Sequence, residues 1–274
     1  MIKKPIALQV YSVREDAAAD FAGTMKKVRE MGYDGVELAG LYGMTAAQVK
    51  SVLDDVGLTA VSAHVPINEL LDDLEQTLDT YQAIGFRYIA IPFLDETMRP
   101  GTDGFARVLA AIPDIGRACQ SRGMTLLYHN HDFEFVRMDD GQYGLDALYA
   151  AVPADLLQTE LDTCWVNVAG ENPADYVRKY AGRCPVVHLK DFWRDANQED
   201  EGDLYELIGQ EEKKKSSRRG FEFRPVGHGL QDMPAIINAA QESGAEWLVV
   251  EQDQSVGRPP LEAIKMSIEY LRGL

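Results

Sequence analysis

The chain has few cysteines and no long apolar stretch. Cys119, Cys164 and Cys184 are odd in number and widely spaced, and no CxxC pair occurs, which argues against both a zinc ribbon and a disulfide framework. We therefore expect buried, reduced thiols. No run of about 18 apolar residues is present, and the N-terminus leads directly into a strand-like segment without the hydrophobic region of a signal peptide. The sequence thus predicts a cytoplasmic protein without a membrane contact.

Basic residues are also scarce, with 27 Lys and Arg against 44 Asp and Glu in 274 residues, a formal net charge of −17. Nucleic-acid binding requires a basic face, so this balance argues against a nucleic-acid partner. A solvated acidic surface without any partner is the simplest explanation of the excess. Hydrophobic residues make up 46% of the chain, which is enough for one large core in a (β/α) barrel or for two smaller domains.

A repeated pattern runs along the chain, in which a helical segment ends at a glycine and an apolar strand follows. Glycine is common just after a helix because it adopts the left-handed conformation easily. The glycines of this pattern are Gly32, Gly57, Gly85, Gly123 and Gly244. We predict strands over 6–10, 33–38, 58–64, 86–92, 124–131, 157–162, 186–189 and 245–251. Helices are predicted over 24–31, 45–56, 70–84, 105–119, 145–151, 173–180, 233–243 and 260–271, with a kink or restart at Pro113.

The predicted strands are continuously apolar, which is typical of strands that are buried on both faces. Eight βα units in this length predict an α/β fold, a closed (β/α)₈ TIM barrel, as a single domain over 1–274. A doubly wound open sheet is the alternative, but the first βα turn carries no GxGxxG. A charged insertion over about 194–223 interrupts the pattern before the seventh helix. It is either a lid or partner contact on the catalytic face, or a flexible insertion.

Histidines and acidic residues are concentrated where the predicted strands end, which is where TIM barrels carry their chemistry. These residues are Glu37, His64, His129, His131, Glu160, Asp162, His188, Lys190 and Glu251. Imidazole nitrogens combined with carboxylate oxygens suit a divalent first-row ion such as Mn²⁺, Co²⁺, Fe²⁺ or Zn²⁺. Because residues i and i+2 of a strand face the same way, the side chains of His129 and His131 are both expected to point into the barrel interior. The same applies to the pair Glu160 and Asp162 and to the pair His188 and Lys190.

Five segments that span nearly the whole chain resemble one known superfamily. They are 6–14, Tyr128-His129-Asn130-His131-Asp132-Phe133-Glu134-Phe135, Glu160-Leu161-Asp162-Thr163-Cys164-Trp165, Val187-His188-Leu189-Lys190-Asp191 and Val249-Val250-Glu251-Gln252-Asp253. The sequence resembles the xylose isomerase-like superfamily of sugar phosphate isomerases and epimerases. That group includes ketose 3-epimerases, inosose dehydratase and the barrel endonuclease of base-excision repair.

The resemblance implies one divalent metal ion, Mn²⁺ as the first choice and Co²⁺, Fe²⁺, Zn²⁺ or Mg²⁺ as alternatives. In that superfamily Glu, Asp, His and Glu from the last four strands hold the ion. Asp162, His188 and Glu251 match the last three of these positions, whereas His129 stands where many relatives have Glu. Either His129 is a metal ligand in place of the carboxylate, or Glu160 or Glu134 supplies the missing oxygen.

The expected reaction is isomerisation or epimerisation of a keto sugar or related polyol. The ion would polarise the carbonyl and stabilise an enediolate, while a base removes the proton next to the carbonyl. Glu251 is the first candidate for the base, and His131 or His129 is the second. The same enediolate also allows dehydration or cleavage of an inosose or a 3-keto glycoside. In the epimerases both bases are metal-binding carboxylates, so His129 makes a symmetric two-carboxylate mechanism less secure.

Several further residues are expected to contact the sugar. Lys190 either holds a substrate oxygen or pairs with Asp191. Glu37 and His64 contact substrate or orient their neighbours, and Tyr11, Trp165, Phe192 and Trp193 form an apolar wall or ordinary packing. Glu134 and His228 complete the expected substrate contacts. The glycine-containing segment 226–229 is too short for a phosphate loop, so an unphosphorylated sugar is favoured.

Two other functions are open to the same sequence. A metal-assisted nuclease would need a trinuclear cluster and a basic face, which five histidines and a charge of −17 do not favour. A non-catalytic sugar-binding barrel that has lost its metal is the second alternative, and the departure at His129 leaves room for it. A homo-oligomer is compatible with either assignment.

Overall fold

Parallel strands close into a barrel in the computed structural model, which describes residues 2–195 and 220–274. The strands among these residues are β1 (Ile6–Gln9), β2 (Gly35–Ala39), β3 (Thr59–His64), β4 (Tyr88–Ile91), β5 (Thr125–His129), β6 (Gln158–Asp162), β7 (Val186–Leu189), β8 (Asp191–Arg194), β9 (Phe221–Arg224) and β10 (Trp247–Val250). The barrel order is β1 to β7 in sequence, then β10, which pairs with both β7 and β1. The predicted closed (β/α)₈ barrel is therefore confirmed.

Helices surround the barrel, and the glycine pattern marks where several of them end. The described helices are α1 (Arg14–Ala19), α2 (Phe21–Met31), α3 (Ala46–Val56), α4 (Ile67–Asp72), α5 (Leu74–Ile84), α6 (Phe105–Ser121), α7 (Gly144–Ala151), α8 (Thr163–Val168), α9 (Pro173–Lys179), α10 (Met233–Glu242) and α11 (Pro260–Gly273). Gly32 follows α2 with a φ of 105°, a conformation that favours glycine. None of these helices is both long and apolar enough to span a membrane.

The helix predictions need correction in three respects. The predicted restart at Pro113 does not occur, because α6 passes through it as one helix. The predicted helix over 70–84 is divided into α4 and α5, since Asp73 caps a new helix by accepting a hydrogen bond from the Gln76 N–H. The short helices α1 and α8 were not predicted.

The barrel interior changes from apolar to polar along its strands. Its N-terminal part holds a small apolar cluster, and on four strands the position two residues after a member of this cluster, within the strand or directly after it, is polar and buried. The pairs on four strands are Ala7 and Gln9, Leu127 and His129, Val186 and His188, and Val249 and Glu251. A larger apolar core lies between the strands and the helices. Polar side chains thus collect at the C-terminal end of the barrel. All three cysteines are buried and free, as predicted.

The two ends of the predicted charged insertion form a hairpin, because β8 pairs with β9 in the antiparallel direction. These two strands were not predicted. The alternatives for the remaining insertion fall on 196–219, outside the described residues. The Asp191 carboxylate accepts hydrogen bonds from the backbone N–H groups of Gly227, Gly229 and Gln231, at 2.9 to 3.1 Å. A Cβ at Gly229 would clash with Asp191 Oδ1 at 2.2 Å. Glycine is therefore needed at this position for the loop to close on Asp191.

Candidate metal centre and active site

The strand ends bring the predicted polar residues together at the C-terminal end of the barrel. In the parallel register, His129 lies beside Glu160 and Asp162 lies beside His188. Their neighbours Glu37, His64, Lys190 and Glu251 are also buried. A single crowded polar cluster therefore replaces an apolar core at this end, and its charges must balance each other.

Four residues of this cluster, here called the outer set, could hold a metal ion. They are His129, Asp162, His188 and Glu251, and one ligand atom from each lies within 4.8 Å of all the others. Asp162 Oδ1 accepts hydrogen bonds from the backbone N–H groups of Cys164 and Trp165, which caps α8. Asp162 Oδ2 is left facing His129 Nε2 at 3.7 Å. Two nitrogens and two carboxylate oxygens fit a divalent first-row ion.

Three residues below the outer set, here called the inner set, contact the same two imidazoles from the other side. They are Glu37, His64 and Glu160. His129 Nδ1 lies 3.2 Å from Glu160 Oε1, and His188 Nε2 lies 2.8 Å from Glu37 Oε1. A metal-binding histidine usually donates its second ring N–H to a carboxylate, which fixes the ring. The inner carboxylates are in the right place for this task.

Part of the inner set also forms a second group of potential ligands. This group contributes one ligand atom from each of four residues, all within 4.8 Å of one another: His64, His129, Glu160 and His188. His64 Nε2 lies 2.7 Å from Glu160 Oε1 and 3.0 Å from Glu37 Oε1. Both groups contain the same two imidazoles, His129 and His188.

The imidazoles of His64 and His188 offset the charges of the inner carboxylates. Burial would raise the pKa of Glu37, but His64 and His188 lower it well below its usual range. Burial would lower the pKa of His64, but Glu37 and Glu160 raise it to about 10. His129 behaves differently, because burial and the neighbouring imidazoles together lower its pKa well below the ordinary value. His129 is therefore neutral, the form in which an imidazole binds metal.

Lys190 lies among carboxylates and is only 1% exposed. Its Nζ is 3.0 Å from Asp162 Oδ2, 2.9 Å from Glu251 Oε2 and 2.9 Å from Asp253 Oδ2. Burial alone would lower the pKa of Lys190, but these carboxylates raise it well above its usual value. The expected alternative of a pair with Asp191 is wrong, because Asp191 points to the backbone amides of the loop after β9.

A cavity of about 270 Å³ opens above the outer set. Its apolar side is formed by Tyr11, Pro66, Pro92 and Phe93. Its polar side is formed by His64, His129, His131, Glu251, Asp253 and Glu69. Ligand sites of about 300–1,000 Å³ are usual for drug-sized molecules, so this volume suits a small ligand such as one sugar ring.

Known proteins resemble this chain in sequence over most of its length. The sequence profile of the xylose isomerase-like TIM barrel family matches residues 25–274. The chain belongs to this family. Among the curated relatives, the inosose dehydratase of Clostridium botulinum (strain Alaska E43 / Type E3) is 23% identical over 272 residues, covering 89% of this chain and 87% of the relative. The inosose dehydratase of Geobacillus kaustophilus (strain HTA426) is 24% identical over 276 residues, covering 90% and 85%.

Solved structures of the family show the same fold. A sugar phosphate isomerase/epimerase from Parabacteroides distasonis ATCC 8503 superposes with a TM-score of 0.78 at 20% identity, covering 99% of this chain and 98% of that one. A structure of L-ribulose 3-epimerase gives a TM-score of 0.71 at 15% identity, covering 98% and 93%. The resemblance found in the sequence is thereby confirmed.

Some predicted substrate contacts reach the cavity, and others do not. Tyr11, His64 and His131 line the cavity. Among the residues expected to touch substrate, the following lie outside its lining: Glu37, Glu134, Trp165, Phe192, Trp193, Lys190 and His228. Glu37 is fully buried beneath the imidazoles of His64 and His188. Trp165 is also fully buried, and its ring centroid lies 5.4 Å from Lys190 Nζ.

Glu134 and His228 lie outside the cavity lining for different reasons. The Glu134 carboxylate accepts hydrogen bonds from the Tyr128 hydroxyl at 2.6 Å and from the His131 backbone N–H at 2.8 Å. It belongs to neither ligand group among the described residues, which argues against Glu134 as the missing metal ligand. His228 is exposed and lies beside the Tyr270 ring, with 6.3 Å between ring centroids.

Sequence reasoning missed several residues of the site. Gln9 donates a hydrogen bond to Glu37 Oε1 at 2.7 Å. The cavity is also lined by Phe93 from the loop after β4 and by Glu69 from α4. Asp253 was also missed, although a signal was available. It stands two positions after Glu251, and side chains two residues apart on an extended segment face the same way.

Proposed function

We propose that this chain is a divalent-metal-dependent dehydratase of an unphosphorylated keto sugar or cyclic keto-polyol. The observation that carries the proposal is the outer set, which places two imidazole nitrogens and two carboxylate oxygens within 4.8 Å beside a small cavity. Relatives that match about nine-tenths of the chain are inosose dehydratases. These relatives favour dehydration over the isomerisation or epimerisation that the sequence alone puts first.

His129, Asp162, His188 and Glu251 would hold the ion, for which Mn²⁺ is our first choice. When bound, the ion would polarise the substrate carbonyl and offset the negative charge that develops on its oxygen. The inner carboxylates lie 3.2 Å from the second nitrogen of His129 and 2.8 Å from that of His188, so the other nitrogen of each ring faces the carboxylates of the outer set. Because each ring has one nitrogen on the inner carboxylates and the other on the outer side, the arrangement supports an ion in the outer set and not among the inner residues.

His131 is proposed as the group that moves protons. It lines the cavity and belongs to neither ligand group, so its imidazole lies where a bound substrate would be. Its ring stacks on Phe133 with 5.5 Å between centroids and 3° between planes, and Glu134 holds its backbone N–H. His131 would take the proton from the carbon next to the carbonyl and return it to the departing hydroxyl, which leaves as water.

Glu251 is less suited to this task than the sequence suggests. Its Oε2 lies 3.0 Å from His188 Nδ1 and 2.9 Å from Lys190 Nζ, so the carboxylate is already engaged. We therefore assign Glu251 to the ion and not to proton transfer.

The asymmetry of the site supports elimination over epimerisation. In the epimerases that the sequence resembles, inversion uses two metal-binding carboxylates as bases. This chain offers Glu251 on one side and the His129 imidazole at the other position. Loss of water requires one group that first accepts and then donates a proton, which a single imidazole can supply.

The charge of the cavity supports an unphosphorylated substrate. Its carboxylates are Glu69, Glu251 and Asp253, and the buried Lys190 lies outside the lining. A phosphate group would be repelled by these carboxylates. Tyr11 and Phe93 offer an apolar surface for the C–H face of a sugar ring.

The proposal can be tested with a panel of inososes, ketoses and 3-keto glycosides incubated with Mn²⁺ in deuterated water. We expect one class to lose a molecule of water, seen by mass spectrometry, and we expect no product with Asp162→Asn. A product of unchanged composition that carries deuterium would instead indicate an isomerase or epimerase. Wild-type protein that binds no divalent ion would contradict the proposal and favour a non-catalytic barrel.

A further inference from the structure

Lys190 and Asp253 form a buried ion pair at the edge of the outer set. Lys190 Nζ lies 2.9 Å from Asp253 Oδ2, and the two residues are 1% and 3% exposed. Asp253 belongs to neither group of potential ligands among the described residues. Its backbone is held in place, because its carbonyl oxygen accepts a hydrogen bond from Arg14 Nη1 at 2.8 Å. The carboxylate is therefore presented to Lys190 by a fixed segment.

The other two partners of Lys190 create a conflict. Asp162 and Glu251 both belong to the outer set, and each lies about as close to the ammonium as Asp253 does. An ammonium that satisfies these two carboxylates occupies the same oxygens that a metal ion would need. Unless the ammonium has a partner outside the outer set, lysine and ion exclude each other.

The count of buried charges shows how the conflict is resolved. Three carboxylates surround one ammonium, and His188 Nδ1 lies 3.0 Å from Glu251. With His188 neutral, the form that binds metal, two negative charges are left without compensation among these side chains. Buried charges without partners are costly, and a divalent ion supplies the two missing positive charges. Lysine and ion together therefore balance the group, provided that one carboxylate is reserved for the lysine.

We propose that Asp253 is a positioning residue that keeps Lys190 paired when a divalent ion takes the two other carboxylates. The proposal rests on the metal site of the proposed function and adds a role for a residue outside the ligand set. Asp253 acts through Lys190 and does not itself touch the ion.

A double-mutant cycle tests this role by measuring Mn²⁺ affinity with isothermal titration calorimetry. Asp253→Asn should weaken Mn²⁺ binding by about 10–100-fold, because Lys190 is then left on Asp162 and Glu251. Lys190→Met should tighten binding. In the Lys190→Met background the penalty of Asp253→Asn should be at least about tenfold smaller, since no ammonium remains to be held. Lys190→Gln is a second neutral background if the methionine variant does not fold.

The control variant is Glu69→Gln, which removes a cavity carboxylate that makes no contact with Lys190 among the described residues. Its effect on Mn²⁺ affinity should be the same in the wild-type and the Lys190→Met protein. An equal penalty of Asp253→Asn with and without the lysine would overturn the proposal, because Asp253 would then act on the ion directly.

A spectrum separates positioning from ligation. Co²⁺-loaded Asp253→Asn should show visible bands of the same shape as the wild type at a higher Co²⁺ concentration. A changed band shape would mean that Asp253 is a ligand, and the proposal would be wrong. Failure of the wild type to bind any ion would contradict the proposed function itself, whereas equal penalties in wild-type protein that binds Mn²⁺ would contradict only the role of Asp253.

Discussion

The inner and outer sets lie next to each other, and they differ in what balances their carboxylates. In the inner set Glu37 and Glu160 face imidazole nitrogens, with His64 Nε2 between them at 3.0 and 2.7 Å. In the outer set the carboxylates of Asp162 and Glu251 face an ammonium that cannot neutralise both of them and Asp253 as well. The inner carboxylates are offset by the imidazoles of His64 and His188, and we propose that an ion completes the outer set. In this proposal the inner set orients the ligands and the outer set binds the ion.

Glu134 provides a third case at the same end of the barrel. It is buried and accepts two hydrogen bonds, from the Tyr128 hydroxyl and the His131 N–H, but no cation faces it among the described residues. Burial raises the pKa of Glu134 to about 8. The pKa of Glu251, which burial alone would raise, is lowered by Lys190 and His188. A cationic partner therefore decides whether a buried carboxylate here stays charged.

The largest effect is expected from the outer set. Asp162→Asn keeps an oxygen that can cap α8 but removes the charge that faces the ion. We expect Mn²⁺ affinity to fall by more than about 100-fold, beyond the loss typical of residues that only orient ligands, and turnover to stop. Calorimetric Mn²⁺ titration checks this, with circular dichroism melting to show that the fold is kept. Full turnover in this variant would remove Asp162 from the ion's ligands.

His131→Ala should lower kcat by about 10²–10⁴-fold, the usual contribution of a general acid–base group, while Mn²⁺ affinity stays unchanged. The matched control is His228→Ala, because His228 is exposed and outside the cavity, and its kcat should equal that of the wild type. Steady-state kinetics and Mn²⁺ titration measure both variants. A parallel loss of affinity and kcat in His131→Ala would show that His131 is a ligand.

Substitutions in the inner set should have smaller effects on affinity. Glu160→Gln should weaken Mn²⁺ binding by about 10–100-fold, because Glu160 faces both His129 and His188. Glu37→Gln should cost less, since of these two histidines Glu37 contacts only His188. Mn²⁺ titration ranks the two variants. If Glu160→Gln lost as much affinity as Asp162→Asn, the division between the two sets would be wrong.

The smallest effect concerns stability and pH. Between pH 4.5, the ordinary pKa, and about 8, the folded protein keeps the Glu134 proton that the unfolded chain has lost. The free energy of unfolding should therefore fall as pH rises through this window, by up to about 1.4 kcal/mol per pH unit. Glu134→Gln should reduce that slope. Urea unfolding at two pH values within the window measures it, and equal slopes in both proteins would show that Glu134 is ionised in the folded state.

The sequence predicted the barrel and the gathering of polar residues at its C-terminal end, because both follow from repeated local rules. Helix-ending glycines and continuous apolar strands place the strand ends, and the closed barrel then brings His129, Asp162 and His188 together. The sequence does not decide which acidic residues pair with the Lys190 ammonium. Lys190 and Asp191 are adjacent, and successive residues of an extended segment point to opposite faces, so only Lys190 turns inward.

Other features depend on contacts that no local pattern reveals. The hairpin of β8 and β9 pairs residues on either side of a long charged segment, and its second strand is only four residues long. The position of Glu69 depends on how α4 packs after Pro66. Whether His129 replaces the family's carboxylate cannot be read from the sequence either, and the contact of Glu160 with its other ring nitrogen supports our proposal that it does.

The most direct measurement is anomalous diffraction from crystals of the protein soaked with Mn²⁺. We expect one manganese peak, bounded by His129, Asp162, His188 and Glu251, with Lys190 still beside Asp253. A manganese peak bounded by His64 and Glu160, or no peak at a concentration that saturates binding in solution, would contradict the division into an orienting inner set and a metal-binding outer set.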